Sequence, residues 1–184
     1  MTKIEIRKLK IITRRYLSGD YRLKASQVIV EKLFETKEFQ GAKIVHIYKA
    51  TEYEVRTQEI INKCFELGKK VIVPVTSLDF NNTRHYEIFP NTFFELDKNG
   101  IAFPIENFEK FDLKEMTAED LFVIPLVAFD NKNNRIGYGK GCYDRFLFDA
   151  VGYKLGLAFV CQLVNKIVSE EFDVQLDRVL VDEL

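Results

Sequence analysis

The stretch that most constrains this chain is Pro125 to Leu147, PLVAFDNKNNRIGYGKGCYDRFL. It opens as a buried strand, becomes a polar loop, and closes as a helix whose first turn carries Tyr143, Asp144 and Arg145. Gly137, Gly139 and Gly141 alternate just ahead of that helix. Glycine reaches positive φ and lets a ligand approach the main chain closely. A helix N-terminus adds unpaired N–H donors and the positive end of a dipole, so it favours anions. Arg135 and Lys140 bring two cations to the same loop. From the residues alone, the stretch reads as a phosphate site. Asp144 is then either a capping carboxylate or a Mg2+ ligand, since Mg2+ takes one or two carboxylates together with phosphate oxygens.

The loop is not a Walker A loop, because Lys140 is followed by Gly141 and Cys142 rather than by Ser or Thr. It is not the dinucleotide GxGxxG loop either, since the acidic residue expected about twenty positions on, after a first strand, is missing.

Composition narrows the setting. The 184 residues suit one domain, 1–184, with a substantial core. A hydrophobic content of 47% argues against disorder. The net charge of -1 supplies no global field for nucleic acid or an anionic membrane. Cys64, Cys142 and Cys161 are odd in number and lack zinc spacing, so they are expected as free thiols in a reducing compartment. No apolar run is long enough to span a bilayer. The opening residues, MTKIEIRKLK, lack the apolar centre of a secretory signal. The expectation is a soluble cytoplasmic protein with no nucleic-acid or membrane partner.

Taken in order, residues 2–17 read as a basic helix with Ile4, Ile12 and Tyr16 among its apolar positions. Its cations read either as a solvated face or, for Lys3 and Arg7, as a pair reaching one anion from one helix face. A second helix runs to about Thr36. Strands are expected at KIVHIYKA, KKVIVPV, YEIF, LFVIPLV and YKLGLAFVC, and around Val179 to Val181. Thr57 is expected to cap a helix through Ile60, Ile61, Cys64 and Phe65. Lys49 and Glu54 therefore fall in a strand-to-helix loop, where open α/β sheets bind ligands. His46 reads as a packed strand residue and His85 as an exposed one in a polar turn. Residues 90–120 show little periodicity and read as an irregular cover. Strands alternating with helices give a mostly parallel, three-layer α/β domain.

The central stretch resembles the signature of the 5-formyltetrahydrofolate cyclo-ligase family: Pro, then Phe-Asp, then Arg-Leu-Gly-x-Gly-x-Gly-Tyr-Tyr-Asp-Arg. Here it stands as Pro125, Phe129-Asp130 and Arg135-Ile136-Gly137-Tyr138-Gly139-Lys140-Gly141-Cys142-Tyr143-Asp144-Arg145. The resemblance extends to an N-terminal Lys-x-x-x-Arg (Lys3, Arg7), a Glu-Val-x-Thr (Glu54 to Thr57) and a late Asp-x-x-x-Asp (Asp173, Asp177). It implies a Rossmann-like fold with a mostly parallel sheet. It also implies an enzyme that uses ATP and Mg2+ to turn 5-formyltetrahydrofolate into 5,10-methenyltetrahydrofolate, with ADP and phosphate released. By position, the resemblance implies that Lys3, Arg7 and the segment Arg135, Gly137, Tyr138, Gly139, Lys140, Gly141, Cys142, Tyr143 would hold ATP, with Arg135 and Lys140 acting in catalysis. It implies that Lys49, Glu54, Tyr138 and Cys142 would face the folate, with or without a polyglutamate tail, and that Asp144 and Asp173 would hold Mg2+. The chain is expected to act as a monomer.

The chemistry is consistent with the absence of a Ser-His-Asp or Cys-His arrangement. An amide oxygen attacking the γ-phosphorus carries no proton, so alignment and charge neutralisation replace a base. Phe93, Phe94, Phe103 and Phe108 are candidates for a water-excluding cover or for ordinary core. Cys142 stands where the family has the first of two tyrosines, and Asn133 where a turn glycine is usual. Two other readings stand beside this one: a sugar-phosphate isomerase that uses the anion site without ATP, and a binding module without turnover, of which Cys142 is a possible sign.

Overall fold

The computed structural model describes all of the chain except residues 78, 79, 81, 98, 99, 101, 106–109 and 184. Three helices come first: α1 (Lys3–Arg15), α2 (Gly19–Phe34) and α3 (Lys37–Gly41). Each starts at a hydroxyl cap, Thr2, Ser18 and Thr36 in turn. Thr2 and Glu5 form a reciprocal capping box, satisfying two N–H groups that a helix start leaves unpaired. Then follow β1 (Ile44–Ile47), α4 (Gln58–Glu66), β2 (Lys70–Thr76) and β3 (Thr83–Ile88). A small hairpin, β4 (Phe94–Leu96) and β5 (Ala102–Pro104), leads through a 3-10 turn at Leu113–Glu115 to β6 (Leu121–Pro125). Next are β7 (Ala128–Asp130), β8 (Arg135–Ile136), α5 (Cys142–Leu147) and β9 (Tyr153–Ala158). A 3-10 turn at Val160–Gln162, β10 (Leu163–Val164) and β11 (Arg178–Val181) complete the order.

The main sheet has six strands in the order β11-β9-β6-β1-β2-β3. All are parallel except the edge strand β3, which runs against β2. Its strands are rich in Val, Ile and Leu because both faces are covered. On one face Val45, Ile47, Val71, Val123 and Leu155 pack with Ile29, Leu33, Ile60 and Ile61 of α2 and α4. On the other, Ile72, Phe122 and Ile124 meet Leu147 of α5 together with Phe111, Met116 and Leu176 from irregular chain. The three layers are therefore unequal, and among the described residues the second cover contains one short α-helix.

This topology places the candidate loops. From β1 the sheet grows outward to β2 and β3; the chain then returns to the other side of β1 and grows outward again through β6, β9 and β11. The strand order reverses between β1 and β6, and ligands bind beyond the carboxyl ends of strands at such a reversal. The loop after β1 carries Lys49 and Glu54, and the chain after β6 carries the glycine-rich stretch.

A smaller sheet, β10-β7-β8, holds that stretch in place. Asp130 fixes its turn, accepting hydrogen bonds from the N–H groups of Lys132, Asn134 and Ile167 at 2.8–3.1 Å. Burial alone would raise the pKa of Asp130, but these bonds and the Asn134 amide outweigh it and lower it. Asn133, in place of a glycine, takes the left-handed conformation at φ 61°, which asparagine tolerates better than most residues.

Four expectations need correction. On α1, Ile4 (61% exposed), Ile12 and Tyr16 (86%) face outward, while Ile6 and Arg14 are buried. His85 lies in β3 and is buried, with its Nδ1 3.0 Å from Nε2 of His46. Thr57 does not cap α4: its hydroxyl donates to the Tyr48 carbonyl at 2.8 Å and accepts from Ala50 N–H. Residues 90–120 contain the β4–β5 hairpin and a 3-10 turn.

The two histidines pack with Phe122 and Phe146. Burial lowers the pKa of His85 to about 4 and that of His46 well below its ordinary value, with His85 adding to the effect on His46. An unfolded histidine takes up its proton near pH 6.5. Between about 6.5 and 4 the unfolded chain therefore binds more protons, so this stability is full above pH 6.5 and falls as pH drops towards 4. Urea unfolding at pH 7 and pH 4.5 is expected to show a loss of about 2–3 kcal/mol from His85 alone, with His46 adding to it. The difference should narrow in His85→Gln; an unchanged difference would clear this pair.

Candidate active site

Four cations leave α1 on one side. Lys3, Arg7, Lys10 and Arg14 follow i, i+4, i+7, i+11 spacing, one helical stripe. Lys3 pairs with the Asp173 carboxylate and lies 3.3 Å from Glu170. The Arg7 Nε donates to the Gly137 carbonyl at 2.8 Å. Lys10 donates to the carbonyls of Cys161 and Leu163 at 2.6 and 2.8 Å. Arg14 donates to the Leu126 carbonyl at 3.2 Å and to the Tyr138 hydroxyl.

The glycine-rich loop receives this stripe. At Gly139 the backbone has φ 88°, and an added Cβ would stand 2.9 Å from the Arg7 Cζ. The loop thus wraps the Arg7 guanidinium closely. Gly141 caps α5 in the left-handed conformation at φ 64° and offers no side chain to the first-turn N–H groups. Those donors are left for another acceptor. Because α5 has six residues, they matter here more than a macrodipole.

Arg135, on β8 and 6% exposed, donates to Asp144 Oδ1 at 2.6 Å and lies 6.0 Å from the Tyr143 ring centre. Burial lowers its pKa, and Asp144, Tyr143 and Asp173 partly restore it. Its Nε is buried without a partner among the described residues. A buried donor left unpaired is costly, so a ligand acceptor there would relieve it. Burial raises the Tyr143 hydroxyl pKa strongly, with the Glu54 charge adding to it, so the ring stays neutral.

The two acidic residues sit apart in their partners. Asp144 Oδ1 also accepts from Val174 N–H at 3.2 Å, and Asp173 Oδ2 also accepts from Glu170 N–H at 2.7 Å. The remaining carboxylate oxygen of each has no hydrogen-bond partner among the described residues. No group of three or more potential ligand side chains occurs among the described residues. Two hard oxygen donors fit Mg2+ that arrives with phosphate oxygens, and do not fit a metal held by protein alone. Asp177, by contrast, is structural, since its carboxylate accepts from Lys154 N–H at 2.7 Å at the start of β9.

On the other side, Glu54 is 5% exposed in the loop after β1. Its Oε2 accepts from the Thr51 N–H and hydroxyl at 2.8 and 2.9 Å, and its Oε1 accepts from the Tyr138 hydroxyl at 3.2 Å. The Tyr138 ring is half-exposed, but its hydroxyl is turned inward. Burial of that hydroxyl and the Glu54 charge raise its pKa, against the pull of Arg14.

Some expected residues stand aside. Lys49 donates to Gln58 at 2.6 Å and lies over the Phe94 ring, without a bond to Glu54. Lys140 is exposed, 4.9 Å from the Phe80 ring centre, with no ion pair among the described residues. The Cys142 Sγ lies 3.7 Å from both the Phe80 carbonyl and Arg145 Nη2. Of the suggested aromatic cover, Phe93 is exposed, Phe94 and Phe103 are half-buried, and Phe108 lies outside the described residues. A cavity of about 440 Å³ over Lys32, Thr36 and Arg178 lies away from all of these side chains. Sequence reasoning missed Arg14. The four-cation stripe was the available signal.

Fold and site together define an α/β protein with a cation-lined loop at the reversal of its sheet. A profile of the 5-formyltetrahydrofolate cyclo-ligase family matches residues 1–182. A probable 5-formyltetrahydrofolate cyclo-ligase of Caenorhabditis elegans is 31% identical, covering 98% of this chain and 92% of its own length. The Haemophilus influenzae 5-formyltetrahydrofolate cyclo-ligase is 32% identical over 97% and 95%. The solved 5,10-methenyltetrahydrofolate synthetase of Aquifex aeolicus is similar at TM-score 0.84 and 27% identity, covering 100% of this chain and 91% of that one. That of Mycoplasma pneumoniae gives 0.76 and 26%, with 98% of each chain covered. This chain belongs to the 5-formyltetrahydrofolate cyclo-ligase family, a family of enzymes.

The close approach at Gly139 carries a test. Gly139→Ala should cost about 1–3 kcal/mol of stability from backbone strain. It should also weaken binding of tripolyphosphate, used as an anion probe in calorimetry, by about tenfold or more as Arg7 is displaced. Unchanged affinity would separate Arg7 from the anion site.

Proposed function

We propose that this chain is an ATP- and Mg2+-dependent 5-formyltetrahydrofolate cyclo-ligase, acting as one domain over residues 1–184, as a monomer and in the cytoplasm. The observation that carries the reading is the Tyr138–Glu54 hydrogen bond. It joins the cation-lined loop after β6 to the loop after β1, so two ligands seated at the sheet reversal would meet there. Cys64, Cys142 and Cys161 are free thiols.

On this reading Arg7, Arg135, Lys3 and the first-turn N–H groups of α5 hold the phosphates, and the exposed Lys140 swings onto them. Asp144 and Asp173 would hold Mg2+, which would reduce the negative charge of the phosphate oxygens. Tyr138 and Glu54 face the folate. Cys142, at the α5 start, lies between the two ligands. Lys49 reaches the folate after leaving Gln58.

The formyl oxygen uses a lone pair to form a bond to the γ-phosphorus. The bridging P–O bond breaks and its electron pair leaves with ADP. The N-5 lone pair delocalises onto the formyl carbon, giving an iminium phosphate. N-10 then attacks that carbon, and phosphate departs with the C–O electron pair and takes up the N-10 proton, leaving as hydrogen phosphate. No step needs a base for the attacking oxygen. The Arg135 and Lys140 charges stabilise the transferring phosphoryl group.

The first experiment is to mix the protein with 5-formyltetrahydrofolate and MgATP and follow the methenyl product by absorbance. Product that requires both ATP and Mg2+ is expected; product formed without ATP would overturn the reading. Asp144→Asn should lower turnover by about 100-fold or more and raise the Mg2+ requirement. A normal rate and Mg2+ dependence in that variant would remove the metal assignment.

A further inference from the structure

We propose that Arg14 is a positioning residue: it fixes the direction of the Tyr138 hydroxyl and, through it, the Glu54 carboxylate, so that the folate side of the site is ordered by α1. The inference rests on the reading that Tyr138 and Glu54 face the folate.

The donor and acceptor inventory gives the direction. A guanidinium has donors only. The Tyr138 oxygen therefore accepts from Arg14, and its single O–H must go elsewhere. Glu54 Oε1 stands 3.2 Å away to receive it. The other Glu54 oxygen is already held by the Thr51 N–H and hydroxyl. The carboxylate is thus gripped by its own loop on one side and by Tyr138 on the other. Arg14, Tyr138 and Glu54 come from three separate pieces of chain: α1, the glycine-rich loop and the loop after β1.

Simple packing accounts poorly for Arg14. It is 3% exposed and its Nε has no partner among the described residues. A buried, incompletely bonded guanidinium costs desolvation that an apolar side chain of similar volume avoids. What the guanidinium adds is orientation. One nitrogen holds the Leu126 carbonyl, just past β6, while the other holds Tyr138, and its Cζ lies 5.5 Å from the Tyr138 ring centre. The ring and its hydroxyl are both located by one group.

The same helix bears Arg7, whose Nε grips Gly137 next to Tyr138. Arg7 and Arg14 are two turns apart on α1. An anion that draws on Arg7 therefore acts on the helix that orients Tyr138 and Glu54. Occupancy of the phosphate side and order on the folate side are linked through one rigid element, and such coupling is reciprocal.

The test uses the full chain and the variants Arg14→Met, Arg14→Lys, Tyr138→Phe and Arg14→Met/Tyr138→Phe. Arg14→Met should raise KM for 5-formyltetrahydrofolate about tenfold, with a smaller change in KM for ATP. The double variant should lose no more than Tyr138→Phe alone, because both substitutions cut one relay. Losses that multiply would show Arg14 acting without Tyr138 and would overturn the proposal. If Arg14→Met does not fold, the same cycle is run with Arg14→Lys. A second measurement is independent of turnover. In protein labelled with 3-fluorotyrosine, the Tyr138 fluorine resonance is the one missing from Tyr138→Phe. Arg14→Lys and Glu54→Gln should each shift it. A resonance that Arg14→Lys leaves in place overturns the inference. A wild-type protein that makes no methenyl product removes the folate reading instead, while the fluorine resonance still decides whether Arg14 orients Tyr138.

Discussion

The site depends on a helix that docks by its cations. Only Ile6 gives α1 a buried apolar side chain, in a small cluster with Ala128, Ile136 and Ile167. Its inward face otherwise consists of Lys3, Arg7, Lys10 and Arg14, each ending on a carbonyl or carboxylate of a different loop. Burying a cation is unfavourable unless its donors are met, and hydrogen bonds to charged groups contribute about 1.5–3 kcal/mol each. The helix is therefore useful as a clamp. It ties together Asp173, Gly137, the chain after β9 and the chain after β6. None of those segments has a regular element long enough to hold itself. An apolar contact is non-directional, whereas these bonds fix where each carbonyl and carboxylate points.

The sheet supplies the rigid part of the arrangement. β1 and β6 lie side by side with both faces covered, and their carboxyl ends release the two loops of the candidate site. The loops then need only short-range devices to hold their shape. In one, Asp130 gathers three backbone N–H groups and Asn133 takes a left-handed turn. In the other, Thr57 and Glu54 bond back to their own loop. Thr57 does not cap α4: its backbone is helical (φ -113°, ψ -4°) where a capping residue is normally extended, and its hydroxyl is turned to close the loop around Tyr48 and Ala50.

Much of this was legible because period and turn chemistry agree with the fold. The Val- and Ile-rich runs become parallel strands, and the alternating glycines adopt positive φ at Gly139 and Gly141. What was hidden lay where two locally reasonable readings compete. Apolar residues on a helix normally mark the buried face; α1 inverts that rule because its receiving surface offers carbonyls and carboxylates. His85 sits after a polar run, and only the pairing of Val73 with Tyr86 and Pro74 with His85 carries it into the sheet next to His46. Lys49 lies in the loop between β1 and α4, but nothing in the sequence fixes which way a long side chain turns; here it meets Gln58 and Phe94.

The two acidic residues show why such a site is stable before any ligand arrives. Asp144 is paired with Arg135 and Asp173 with Lys3, so each carboxylate and cation is neutralised in place. Without those pairs, Arg135 would be an uncompensated charge beneath the loop, which is strongly destabilising. On the cyclo-ligase reading the pairs also set the terms of binding. Phosphate oxygens would compete for Arg135 and Lys3, and a divalent cation would compete for the carboxylates they release. If the anion came alone, Asp144 and Asp173 would be left facing it; if the metal came alone, Arg135 would be left beside it. Only the two together would exchange every partner without stranding a charge, so on that reading the arrangement would favour the metal–phosphate complex over either component.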